Sequence, residues 1–270
     1  MKHINLFIGG AIVGGIAGLG LLAPWIAPFD PLQISLPNEL CQPSATHWFG
    51  CDANGTDIFS ILLYGAKISL EVGLVVTILS VLIGLVFGTI AGYFGGWRDA
   101  LLMRILDIIF AFPGILLAIG MASMLGPSKR NLIFCLVLTS WAGYARLVRG
   151  EVLAMRNMEF VEAARALGSP KRRIFFFHLW PNLLTPLLVS ATFGIGGTVL
   201  AEASLSFLGI GMPPGTPSWG TLLSFGRDVL LEAPHVATFP GCLIIFTVLG
   251  FHLLGEGIRQ RFDPKSEHRR

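Results

Sequence analysis

Glu162-Ala163-Ala164-Arg165-Ala166-Leu167-Gly168 places two charged side chains among small ones and ends on glycine. A helix with small side chains can settle into a groove of another protein, so the work this segment suits is docking. Cys41 and Cys51 share one segment and form either a disulfide or two free thiols. Asp107 and Glu202 are the acidic residues near apolar runs. Ion coupling needs such groups at mid-membrane, whereas these sit toward run ends. His178 and His252 are isolated from each other and from cysteine, so no metal ligand set is expected. No G-x-x-x-x-G-K-[ST], H-E-x-x-H or G-x-S-x-G pattern occurs. The reading is therefore of a non-enzyme with no catalytic residue and no cofactor of its own.

The elements that position these residues follow from composition. Of 270 residues 53% are hydrophobic and only 13% charged, with a mean hydropathy of +0.72. That excludes ordinary soluble, coiled-coil and disordered classes and leaves an all-α polytopic membrane protein. Charge-free runs long enough to cross give six spans, at about 4–26, 70–92, 104–125, 131–149, 183–203 and 239–258. The run 203–226 is read as a surface or re-entrant connection, because Pro213, Pro214 and Pro217 stand among glycines there. The first run is too long for a signal-peptide core and is read as an uncleaved span.

With the N-terminus inside, 15 of the 19 Lys and Arg residues fall on the cytoplasmic side, leaving Lys67, Lys129, Arg130 and Arg227 outside. That fits the positive-inside rule, and a seventh span would spoil it. The division that follows is a helix plus outer loop over 1–69, a five-helix core over 70–265 and a cytoplasmic tail over 266–270. The core includes a cytoplasmic loop over 150–181. Gly10, Gly14 and Gly18, and again Gly84, Gly88 and Gly92, stand four apart and make packing faces. Arg104 and Asp107 call for pairing or interfacial placement, and Pro113-Gly114 should kink the third span.

The cytoplasmic loop reads as a helix-turn-helix. Its first helix stops at Gly168 in the left-handed position; Ser169 then suits an N-cap and Pro170 the first turn of the next helix. Pro181 should interrupt the run before the fifth span. Lys171, Arg172 and Arg173 crowd the positive end of that second helix, where acidic residues would be favoured by about 0.3–1 kcal/mol each. Orientation in the membrane, or contact with anionic lipid or a partner, explains them better than helix stability does.

Glu162-Ala163-Ala164, Gly168 and then His178-Leu179-Trp180-Pro181 resemble the cytoplasmic signature E-A-A-x₃-G-x₉-I-x-L-P of binding-protein-dependent ABC importer permeases. His178 resembles the dipeptide, oligopeptide and nickel branch, while Trp180 departs from the pattern. His47 to Asp57, Trp141 to Arg149 and Ala201 to Gly220 are similar to the same branch. There, Cys51 and Thr56 stand where Thr and Arg are usual. The resemblance covers about residues 20–265. It implies a bacterial inner-membrane permease of the shorter, second type, with both termini cytoplasmic, forming half of a pore as a heterodimer with a second permease. It further implies two partner subunits that bind ATP and a periplasmic substrate-binding protein. In that family Glu162, Ala163, Ala164, Arg165, Leu167 and Gly168 would form the ATPase-coupling helix. The implied cargo is di- or oligopeptides, with nickel as the near alternative and an ion-coupled secondary transporter as the alternative from another class. Nucleic acid is not among the implied partners.

Overall fold

A chain in hydrocarbon must satisfy its backbone donors internally, so apolar runs become helices. The computed structural model describes residues 4–262, and the helices are α1 Ile4–Ile26, α2 Ile58–Phe94, α3 Gly96–Phe110, α4 Gly114–Leu125, α5 Lys129–Met155, α6 Glu159–Ala166, α7 Lys171–Ile174, α8 Trp180–Phe207, α9 Trp219–Asp228 and α10 His235–Phe262. The tail expected over 266–270, together with Lys2 and Lys265, lies outside the described residues. Five segments are each long and apolar enough to cross a membrane, and the bent pair α3–α4 brings the number to as many as six. Among the described residues the one β pairing is an isolated bridge between Cys51 and Asp57.

Several boundaries differ from the apolar runs. The second helix begins at Ile58, not near 70, because Asp57 caps it by accepting from Ser60 N at 2.8 Å. The division at 69/70 therefore falls inside α2. The fourth span is not short: α5 carries on past Arg149 to Met155. The third span is two helices bent by 81° at Pro113, where a missing donor and the restricted preceding residue end α3. Pro181 does not stop its helix. Phe175–Leu179 forms a π-turn, and Trp180 N reaches back to Phe175 O, so the ladder widens past the proline and runs on into α8.

Packing follows the glycines of α2. Gly84, Gly88 and Gly92 lie against α5; a methyl group at Gly88 would stand 2.6 Å from Ala145 O. The α1 repeat behaves otherwise. A methyl group at Gly10, Gly14 or Gly18 would meet nothing within 4 Å, and the close approaches of α1 are at Gly9 on α10 and Gly20 on α2. The core is divided into separate clusters along the bundle. One cluster gathers Ile58, Ile61, Leu62, Trp219, Leu222 and Val236 toward the end that carries the cysteine loop. Another gathers Val148, Val152, Val161, Ala164, Ile174 and Leu179 at the end that carries α6.

Candidate functional site

The segment α6 has no side-chain cap at its start; Met158 O accepts from Val161 N at 2.9 Å and Glu162 N at 3.1 Å. Glu159 and Glu162 in its first turn and Arg165 in its last suit the helix dipole. Its end is a Schellman turn: Ser169 N donates to Ala164 O and Gly168 N to Arg165 O, each at 3.0 Å, with Gly168 at φ 72°. The following helix starts one residue later than expected, with Pro170 rather than Ser169 at the cap position.

This build gives α6 two faces. Val161 and Ala164 turn inward onto Val148, Val152, Met155 and Ile174. Glu162, Ala163, Arg165 and Gly168 are exposed, and Leu167 is 86% exposed. Of the six residues expected to form the coupling helix, Ala164 alone packs inward, at 6% exposure. A leucine held open at the end of a short helix, with charges beside it, is suited to being gripped.

Polar ties join that corner to the bundle. Arg156 Nη1 donates to Gly92 O at 3.2 Å, fixing the α5–α6 junction to the end of α2. Arg149 grips both carboxylate oxygens of Asp99 on α3. Asp107 pairs with Arg146 of α5 at 3.4 Å, while the guanidinium of Arg146 also lies 4.1 Å over Phe110. The helical neighbour Arg104 is not that partner. Trp180 donates to Thr89 Oγ1 at 3.2 Å, so the residue that departs from the family pattern ties α8 to α2. His178 stays isolated beside Arg173 O. Motion of α6 would be felt in α2, α3, α5 and α8 together.

A groove of about 420 Å³ opens between α4, α5 and α8, lined by Ile115, Thr139, Ser140, Tyr144, Gly197 and Thr198 among others. Every lining residue is uncharged, and Gly114, Gly143 and Gly197 leave open space. Thr139 and Thr198 bond back to carbonyls of their own helices. Sequence reasoning missed this face, because hydropathy is nearly uniform around these helices and does not report their rotation.

Glu202 is fully buried and accepts from Ser69 Oγ and Ser206 Oγ, each at 2.9 Å. Ser206 Oγ in turn accepts from Met212 N at 3.2 Å. The carboxylate thus latches the glycine- and proline-rich connection after α8 to α2. Trp219, fully buried, donates to Leu62 O at 3.0 Å and pins the start of α9 to the same helix.

The opposite end is built from turns. Cys41 and Cys51 are joined as a disulfide. His47 Nδ1 lies 3.0 Å from Asp57 Oδ1, and the Phe29 ring stacks on the imidazole at 4.7 Å. Asp52 accepts from Asn54 N and Thr56 N, and burial nevertheless pushes its carboxyl above the ordinary 3.8. His47 lies beside that disulfide: a ring nitrogen and the sulfurs of Cys41 and Cys51 stand within 4.8 Å of one another.

Residues 84–268 match the family described as "Binding-protein-dependent transport system inner membrane component". A dipeptide transport system permease protein of Alkalihalophilus pseudofirmus is 41% identical over 264 residues, covering 98% of this chain and 87% of that relative. A glutathione transport system permease protein of Escherichia coli is 44% identical over 248 residues, covering 92% and 82%.

Proposed function

The chain belongs to the family of binding-protein-dependent transport system inner membrane components, and we propose that it is the half of an ATP-driven importer's pore that passes short peptides. It is a permease subunit and an integral protein of the inner membrane. In this reading it pairs with a second, related permease, meets two ATP-binding subunits and receives cargo from a periplasmic binding protein. The α6 end and both termini face the cytoplasm; the cysteine loop faces outward.

The observation that carries this reading is the two-faced α6. Its inner stripe is part of the bundle core, and its outer stripe, with Glu162 and Leu167, is free. Closure of the ATP-binding subunits would push α6, and its ties through Arg156, Arg149 and Arg146 would pass that push to α2 and α3. The bend at Pro113 lets α4 swing beside the groove. Peptide cargo suits the groove better than nickel, because its lining has no His, Cys, Met or carboxylate to hold a metal ion. An ion-coupled mechanism is disfavoured, since Asp107 is engaged by Arg146 and Glu202 by two serine hydroxyls.

The test is uptake of a labelled dipeptide by proteoliposomes holding both permeases, the ATP-binding subunits and the binding protein. Uptake should require ATP and fall to background with Glu162→Lys while the permease remains inserted. Uptake driven by an ion gradient without ATP would overturn the reading.

A further inference from the structure

We propose that the cavity beside Asp52 is a socket for one lysine or arginine side chain of the periplasmic binding protein, which docks at the cysteine end. The inference rests on the function proposed above, in which this end faces outward. The cavity measures about 110 Å³ and lies between the outer loop and the start of α9. Asp52, Ile61 and Leu222 are its buried lining, while Leu32, Ile34 and Phe225 are exposed at its rim. Small-molecule pockets run to roughly 300–1,000 Å³, so this one suits the end of a single side chain and not a whole peptide. The apolar rim fits the methylene stem of a lysine or arginine, and the acid within fits its charged head.

Asp52 is a charge that the fold leaves without a counter-charge. It is 3% exposed, and its Oδ1 accepts from Asn54 N at 2.9 Å and Thr56 N at 2.8 Å. Among the described residues no Lys, Arg or His forms an ion pair with it. Burial raises its carboxyl even against those two amides. The amides hold the carboxylate in place, and a basic head group entering the cavity would supply the missing charge and a charge-assisted hydrogen bond.

The segments around the cavity supply no such cation. Residues 27–57 hold Asp30, Glu39, Asp52 and Asp57 and neither lysine nor arginine, and residues 208–218 are uncharged. His47 is turned to Asp57. Arg227 on α9 is paired with Asp228 and lies over Phe207. The loop around the cavity is thus acidic, and such a field steers a basic surface toward it and fixes its register. In the proposed importer the partner that arrives from the aqueous phase on this side is the binding protein.

The experiment titrates a fluorescently labelled binding protein, first empty and then loaded with dipeptide, onto the whole importer in nanodiscs. Asp52→Asn keeps an oxygen for both amides and removes the charge. It should weaken docking about 10–100-fold, equally for the two forms of the binding protein. Leu32→Lys, at the exposed rim, should also weaken docking and Leu32→Glu should not, with the loop disulfide intact in every variant by mass mapping. ATP-dependent dipeptide uptake by the parent, measured on the same subunits in proteoliposomes, tests the underlying function separately. Parent-like docking of both Asp52→Asn and Leu32→Lys, beside normal uptake by the parent, would overturn the socket alone. So would a loss confined to the loaded form, which would make the cargo's own ammonium the occupant.

Discussion

The two ends of this bundle hold their loops in opposite ways. At the α6 end the short helix itself rests mainly on apolar contacts, Val161 and Ala164 on Val148 and Val152, with the polar ties on its neighbours α5 and α8, and it leaves Leu167 bare. At the cysteine end the chain is fastened by specific polar and covalent clasps, Cys41–Cys51, His47–Asp57 and Glu202 with Ser69, and its anchor Trp219 is wholly covered. Apolar burial is non-directional, whereas a hydrogen bond weakens steeply away from its preferred distance and angle. On the proposed function, the first is the end that moves and the second the end that holds.

Substitutions can break that contrast. The largest effect is expected from Gly168→Pro. Proline removes the N–H that closes the turn on Arg165 O and cannot adopt φ 72°. ATP-dependent dipeptide uptake should fall to background, while the detergent-solubilised protein unfolds at nearly the parent temperature. Trp219→Ala should do the reverse at the other end. It removes a fully buried indole and its bond to Leu62 O, costing about 3–5 kcal/mol, which a fall in the Tm of the purified chain would register.

Smaller effects sharpen the comparison. Glu202→Leu strands the hydroxyls of Ser69 and Ser206, a loss of about 1–3 kcal/mol, and should make the connection at 208–218 more readily cleaved by protease. Glu202→Gln, which keeps an acceptor oxygen, should restore most of the protection.

The smallest effect concerns Asp52. Burial raises its carboxyl above the 3.8 expected of an unfolded chain, so the folded loop binds the proton more tightly. Its stabilising contribution is therefore complete below 3.8 and is lost as pH rises through the raised folded value. Measured against Asp52→Asn, the parent's Tm should slip progressively as pH rises through that window, then run parallel to the variant's at higher pH.

Much of this was legible from particular residues. Gly168 announced the end of α6, because only a residue free to adopt positive φ closes that turn easily. Pro113-Gly114 announced the 81° bend. Glycines 84, 88 and 92 announced the face that α5 occupies. What escaped was set by contacts between distant segments. The start of α2 depends on Asp57 reaching Ser60, a cap that lies outside the apolar run. The π-turn before Pro181 is a tertiary accommodation of a residue that usually breaks helices. The pairing of Asp107 with Arg146, rather than its helical neighbour Arg104, needed the approach of α5. The approach of His47 to both cysteines needed the fold of the whole loop.

On the proposed function, the bare face of α6 is where the ATP-binding subunits push. A thiol cross-linker placed at Leu167→Cys, in a chain with Cys135→Ala and Cys242→Ala, tests it most directly in the assembled importer. A covalent product between this residue and an ATP-binding subunit is expected, with a yield that changes when ATP is added. No product, together with free labelling of the same thiol by a soluble maleimide in a complex that still takes up dipeptide, would contradict it.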